Sequence, residues 1–145
     1  MTIVVSPAAD VGDTFMRSVP PFLHYQTEPD GIVLIEIAGL VSAPEHVALL
    51  EQGFTTVYDR VMPPIDIVIG MSGFTLRADV ARDISQMRSR LLTSRVRHAA
   101  RYAVPRVLAT LIHTTATLTG LNAYIFPDRE QALASVRARR KEQGL

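Results

Sequence analysis

From Phe22 onward, short β-branched runs alternate with longer segments whose apolar residues recur every three or four positions, and this alternation restricts the fold more than any other feature of the chain. FLHYQT and IVLIEIAG are strand-like runs separated by EPDG, with Pro29 suited to the second turn position and Gly31 to the fourth. They predict an antiparallel hairpin. SAPE at 42–45 matches a capping box in which Ser42 and Glu45 satisfy each other's backbone donors. Behind it Val47, Leu50, Phe54, Val57 and Val61 mark one helix face, which Pro63 and Pro64 terminate.

The strand IDIVIG follows, and then a helix from about Asp79 to Thr93 with Val80, Ile84, Met87 and Leu91 inward and Arg82, Asp83 and Arg88 towards water. HAARYAV reads as the next strand, closed by Pro105, which fits the first turn of a third helix, VLATLIHTTATLTG, ended by Gly120. AYIF is the last strand. Asp128 and Gln131 offer a second capping box for the terminal helix EQALASVRARRKEQ. The order ββαβαβαβα predicts an α/β domain, a mixed and mostly parallel five-stranded sheet with helices packed on it. Residues 21–145 form that single domain, and 1–20, which show no sustained period, form an N-terminal arm.

A chain of 145 residues buries roughly two thirds of its unfolded surface without cross-links. Cysteine is absent, which removes disulfides, thiolate catalysis and cysteine metal sites. The opening MTIVVSPAADVGDTFM lacks a basic leader and a long apolar run, so a cytoplasmic location without membrane insertion is expected.

The net charge of +1 conceals an asymmetry. Up to Asp66 nine acids face only Arg17 and Arg60, a balance of −7, while the remainder carries thirteen bases against five acids, or +8. The halves complement each other, within the monomer or across a homodimer. Eight arginines lie between Arg77 and Arg106, but they are divided between a helix and a strand with little aromatic content, so no nucleic-acid partner is expected. The RARRK tail reads as a solvated helix end whose cations suit the C-terminal dipole.

With hairpin, first helix, strand, short loop and the closing "YIFPDREQAL" in this order, the chain resembles the STAS-like fold of anti-sigma-factor antagonists, and more closely the divergent SpoIIAA-like group of small bacterial proteins. The resemblance spans about Phe22 to Val136. It implies a non-enzymatic regulatory module that binds a protein partner. Antagonists of this type are phosphorylated on a serine at the start of the helix after the third strand. Here Ala78 and Asp79 hold those positions, so the acceptor serine is missing, and Ser72 and Thr75 stand earlier. Asp79 is suited to capping the helix start and complementing its dipole.

GMSGFT, at 70–75, lacks the spacing and the lysine of a P-loop and does not meet the dinucleotide fingerprint. Its plain reading is a strand-to-helix turn. In open α/β sheets, however, partners meet the carboxyl ends of the parallel strands. The candidate partner or anion-binding rim is therefore Ser72, Gly73, Thr75, Arg77, Asp79 and Arg106. None of His24, His46, His98 and His113 falls at metal-ligand spacing, and no nucleophile has an evident base, so no catalytic residue, metal or cofactor is expected. The alternative is a small-molecule or lipid-binding domain with a pocket between the third helix and the sheet, lined by Thr110, Thr114 and Thr117.

Overall fold

The computed structural model describes residues 3–4, 21–91, 95–119 and 123–144. Six strands form one sheet in sequential order: β1 (Ile3–Val4), β2 (Phe22–Thr27), β3 (Val33–Val41), β4 (Ile65–Leu76), β5 (Val96–Tyr102) and β6 (Ile125–Phe126). β2 pairs antiparallel with both β1 and β3, whereas β3 to β6 pair in parallel. This is the mixed five-stranded sheet expected, with Ile3–Val4 of the arm added at its edge beside His24 and Tyr25. The rest of the arm, the end of the second helix at Thr93, and Gly120 lie outside the described residues.

The four helices are α1 (Pro44–Asp59), α2 (Ala81–Leu91, entered through a 3-10 turn at Ala78–Val80), α3 (Arg106–Thr119) and α4 (Arg129–Glu142). The alternation of side chains along a strand explains their distribution. Ile65, Ile67 and Ile69 join the core beneath α1, α2 and α3, while Val68 points the other way into a smaller core with Ile32, Leu34, Ala132, Leu133 and Val136 under α4. A sheet covered on both faces needs strands apolar on both faces, and β4 is buried at every position from Ile65 to Met71.

The local signals hold unevenly. Glu28 C=O accepts from Gly31 N–H at 2.8 Å, closing the EPDG turn, and Gly31 has a φ of +90°, which only glycine adopts without strain. Val47, Leu50, Phe54 and Val57 are buried on α1, and Val80, Ile84, Met87 and Leu91 are buried along the α2 segment, as their spacing predicts. Asp128 caps α4 by accepting from Gln131 N–H at 2.9 Å, although the Gln131 amide returns to the Asp128 carboxylate rather than to its backbone.

The first capping box does not form. Pro44 takes the opening helical position, the cap moves to Ala43, and Ser42 instead turns to His46 Nδ1, which lies 3.1 Å from its backbone nitrogen. Arg88 is a second correction. It is half-buried with its Nε fully enclosed, because it borders the inward stripe of α2 and its long stem follows that stripe.

The arginine tail is the third. Arg140 Nε is 2.7 Å from Asp66, Arg137 Nε is 2.9 Å from Asp30, and Arg139 donates to Ala99 C=O at 2.9 Å while lying over the Tyr124 ring. α4 lies across the sheet, so Arg139 and Arg140 turn to a carbonyl and to acids, while Arg137 and Lys141 stay exposed as expected. The acidic and basic halves thus close on each other within one chain, as Arg90 with Glu51, Arg95 with Asp59 and Arg97 with Asp66 also show.

Candidate functional site

GMSGFT is not a turn. β4 runs through it to Leu76, pairing with the second half of β3 after a register shift between Glu36 and Ala38 that sets Gly73 opposite Ala38 and Thr75 opposite Leu40. The shift aligns two extended segments, and Met71 and Phe74 enter the main core as anchors of the continued strand. Glycine's role at residue 73 is close approach: a Cβ there would sit 3.3 Å from that of Ala38. Sequence reading took the glycines for turn chemistry, whereas the buried Met71 and Phe74 within the same six residues were the strand signal.

β5 stops at Tyr102, opposite Gly70. β4 continues six residues further, so Met71–Leu76 has only β3 as a ladder partner among the described residues and forms a ledge at the carboxyl end of the sheet. Ser72 is exposed on it. Thr75 is half-buried, with a hydroxyl that is enclosed and lacks a hydrogen-bond partner. Arg77 N–H donates to Val41 C=O at 2.9 Å, and the chain then turns into the 3-10 entry of α2. Arg77 and Asp79 are almost two-thirds exposed and form a 3.3 Å ion pair.

Of the proposed rim, then, the structure makes one continuous ledge of Ser72, Gly73, Thr75, Arg77 and Asp79. Arg106 is exposed at the first position of α3 and follows β5, but no hydrogen bond or ion pair joins it to the ledge among the described residues. Asp79 caps nothing: the cap position is Arg77, without a side-chain bond, and the acid contributes only a charge within the first turn.

The pocket expected on α3 is lined differently. Thr110, Thr114 and Thr117 all face solvent, and Thr114 and Thr117 return their hydroxyls to the carbonyls of Thr110 and His113. This local bonding lets threonine sit on an exposed helix face. The buried face of α3 is Leu108, Ile112 and Ala116. Leu108 and Ile112 border a cavity of about 50 Å³ between the sheet and the first three helices.

On the opposite face of the sheet lies a group that the sequence reading missed. Tyr102 Oη donates to Glu36 Oε1, and the pair passes directly over Gly70, where any side chain would collide with both. Burial pushes the Glu36 carboxyl above its ordinary range, against the lowering influence of Arg129. We expect Gly70→Ala to cost about 1–3 kcal/mol by overpacking, and Tyr102→Phe to recover part of that loss because it removes the colliding hydroxyl. Urea unfolding of the two single variants and the double variant measures it. Additive losses would show that residue 70 is not held by this pair.

The histidines have structural surroundings where they are enclosed. His98 is buried, with Nε2 3.1 Å from Gln143 Oε1, and His46 faces Ser42. Among the described residues, no group of three or more acids or histidines is placed to hold a metal ion. No helix among them is long and apolar enough to cross a membrane.

No family model matches the chain, and no curated protein matches it in sequence. Solved structures do match its fold. A crystal structure of an anti-sigma factor antagonist from Mycobacterium paratuberculosis superposes with a TM-score of 0.58 at 20% identity, over 83% of this chain and 98% of that one. The structure of SLC26A9 gives a TM-score of 0.56 at 11% identity, over 90% of this chain and 26% of that one. The fold is therefore STAS-like, as the order of elements implied.

Proposed function

We propose that the chain is a non-enzymatic regulatory module that binds a protein partner through the β4 ledge, in the manner its likeness to an anti-sigma factor antagonist suggests. The observation that carries this reading is the ledge itself. Among the described residues, six of β4 lack a second strand partner, and they lead to the exposed Arg77 and Asp79 at the start of a helix. An open strand edge beside fixed charges offers a partner both backbone hydrogen bonds and electrostatic register. Arg77 is partly neutralised by Asp79, so the acidic partner that suits the rim is one able to compete for that arginine while also reaching Arg106.

Phosphorylation at the helix start has no acceptor in this reading, since Ala78 and Asp79 occupy it. Thr75 hides its hydroxyl, which leaves Ser72 as the ledge hydroxyl that a kinase can reach. The reading carries with it a cytoplasmic location for the module.

The test uses Arg77→Glu with Arg106→Glu. Both side chains are exposed, so stability is expected to change by less than about 0.5 kcal/mol. Binding to the protein captured from the source cells should weaken by one to a few kcal/mol, more at low salt than at high. Titration calorimetry at two ionic strengths reads both. Unaltered affinity with unaltered salt dependence would remove the rim from the interface.

A further inference from the structure

Among the described residues, Arg95, Arg97 and Arg140 are enclosed and paired with acids, and Arg139 rests on a carbonyl and the Tyr124 ring, whereas Arg88 and Arg101 have neither arrangement. Arg101 is 4% exposed, yet its only side-chain hydrogen bond among the described residues runs from one guanidinium nitrogen to Ala123 C=O, at 2.9 Å. Arg88 reaches inward from α2, and its enclosed Nε has no partner. Both border the cavity of about 50 Å³, whose walls are otherwise apolar, with Phe54 and Tyr58 of α1, Met87 of α2 and Ile112 of α3 among them. No carboxylate forms an ion pair with either guanidinium among the described residues.

Burial lowers Arg101 to about 10, with the Arg88 charge adding to the effect, and burial lowers Arg88 as well. The two cations thus stand within each other's field in a site of low polarity. An unneutralised buried charge is costly, and the usual remedies are a paired acid or a full set of hydrogen bonds. Among the described residues neither is present. The only other titratable group on the cavity wall is the Tyr58 hydroxyl, which burial raises to about 12 and which therefore remains neutral.

We propose that this cavity is a binding site for a small carboxylate bearing a short alkyl group, with the carboxylate on Arg88 and Arg101 and the alkyl group against Phe54, Met87 and Ile112. The volume gives the size. A volume of about 50 Å³ admits only a small ligand, and two- and three-carbon acids are the smallest that carry both a carboxylate and an alkyl group. The lining gives the chemistry, because a bare inorganic anion would leave the apolar wall empty and a hydrocarbon would leave the guanidinium groups unpaired. The site lies behind the β4 ledge, whose Met71 and Phe74 line part of its wall, but its two arginines stand on α2 and β5, so it can exist whether or not the ledge binds a partner.

The experiment follows the side-chain methyl resonances of Met87, Leu108 and Ile112 by NMR while sodium propionate, propionamide and sodium chloride are titrated separately into the full chain. Propionamide has the shape of propionate without its charge. Propionate should shift these methyls saturably below roughly 0.1 M, and propionamide should bind about 10- to 100-fold more weakly, the value of a charge-assisted hydrogen bond. Chloride should leave them unshifted. Arg101→Met keeps the stem volume and should lose propionate by a similar factor. Ile112→Phe, which fills the cavity and keeps both arginines, should abolish the shifts and supplies the test if Arg101→Met does not fold. Equal binding of propionate and propionamide, chloride shifts matching those of propionate, persistence of propionate binding in Ile112→Phe or in folded Arg101→Met, or no saturable shift in the unmodified chain would each overturn the proposal.

Discussion

Phe54→Ala is expected to cost about 3–5 kcal/mol of stability, the range for deleting a fully packed aromatic ring. Phe54 is 3% exposed, stands on the inward stripe of α1, and meets the Tyr58 ring with centroids 6.2 Å apart. It also borders the internal cavity, so its removal would enlarge an existing void. Neighbours that already fail to close that space have little prospect of collapsing into a larger one, which places the loss in the upper part of the range. At this chain length it corresponds to a fall in Tm of roughly 10 °C or more. Thermal and urea unfolding measure it. A loss below about 1 kcal/mol, usual for surface positions, would mean that α1 packs on another face.

Asp66→Ala should be comparably damaging, at about 3 kcal/mol, through charge rather than volume. Its carboxylate is 2% exposed, accepts both arms of Arg97 at 2.6 and 3.0 Å, and meets Arg140 Nε at 2.7 Å. Burial alone would push the Asp66 carboxyl up, but the Arg97 hydrogen bonds and the charges of Arg97 and Arg140 outweigh burial and hold it below the ordinary aspartate value of 3.8. A carboxyl whose folded pKa is depressed contributes stability that is present above its unfolded pKa and lost as pH falls through the folded value. Asp30 and Glu51 are lowered in the same sense, each chiefly by its arginine hydrogen bond. The protein should therefore lose stability as pH drops below about 4. Asp66→Ala should flatten that loss as well as lower the plateau at neutral pH. A parallel decline in both proteins would show that the Asp66 cluster is not coupled to folding. The variant should also loosen α4, because Arg140 would lose its anchor on the sheet.

The order of elements was readable because each depends on local chemistry. Pro29 and Gly31 close a four-residue turn, the α1 stripe has helical spacing, and Asp128 caps from three residues away. The errors share a different origin. The Ser42 box failed through a contest among near neighbours, in which Pro44 claimed the helix start and His46 claimed the serine. GMSGFT was misread because its extension depends on pairing with Ala38–Val41 across the sheet, and sequence spacing carries no register. The outward placement of Arg88 and of the terminal arginines followed from their charge, yet long stems and distant acids decided where those side chains went. The alternative reading placed Thr110, Thr114 and Thr117 in a pocket, whereas all three face water and their own helix supplies carbonyls to Thr114 and Thr117.

The candidate rim was legible in part. The rule that sites gather at carboxyl strand ends located Ser72, Arg77 and Arg106 without any contact information. It did not show that Thr75 would be enclosed or that Asp79 would pair with Arg77, since both follow from the lengthening of β4. Nor did it reveal Arg101 as a buried cation. A period-two reading of VRHAARY puts Arg101 on the face opposite His98 and Tyr102, but only the packing of α1 to α3 shows that this face is dry.

Backbone hydrogen exchange tests the central claim most directly, comparing the free chain with its complex with the protein captured from the source cells. If the β4 ledge is the interface, amides from Met71 to Val80 should gain protection in the complex, with those on the β4 edge not bonded to β3 gaining most, while α1 and α4 remain unchanged. Protection confined to α1 or α4, with the Met71–Val80 amides exchanging as they do in the free chain, would contradict the assignment of the ledge as the partner-binding surface.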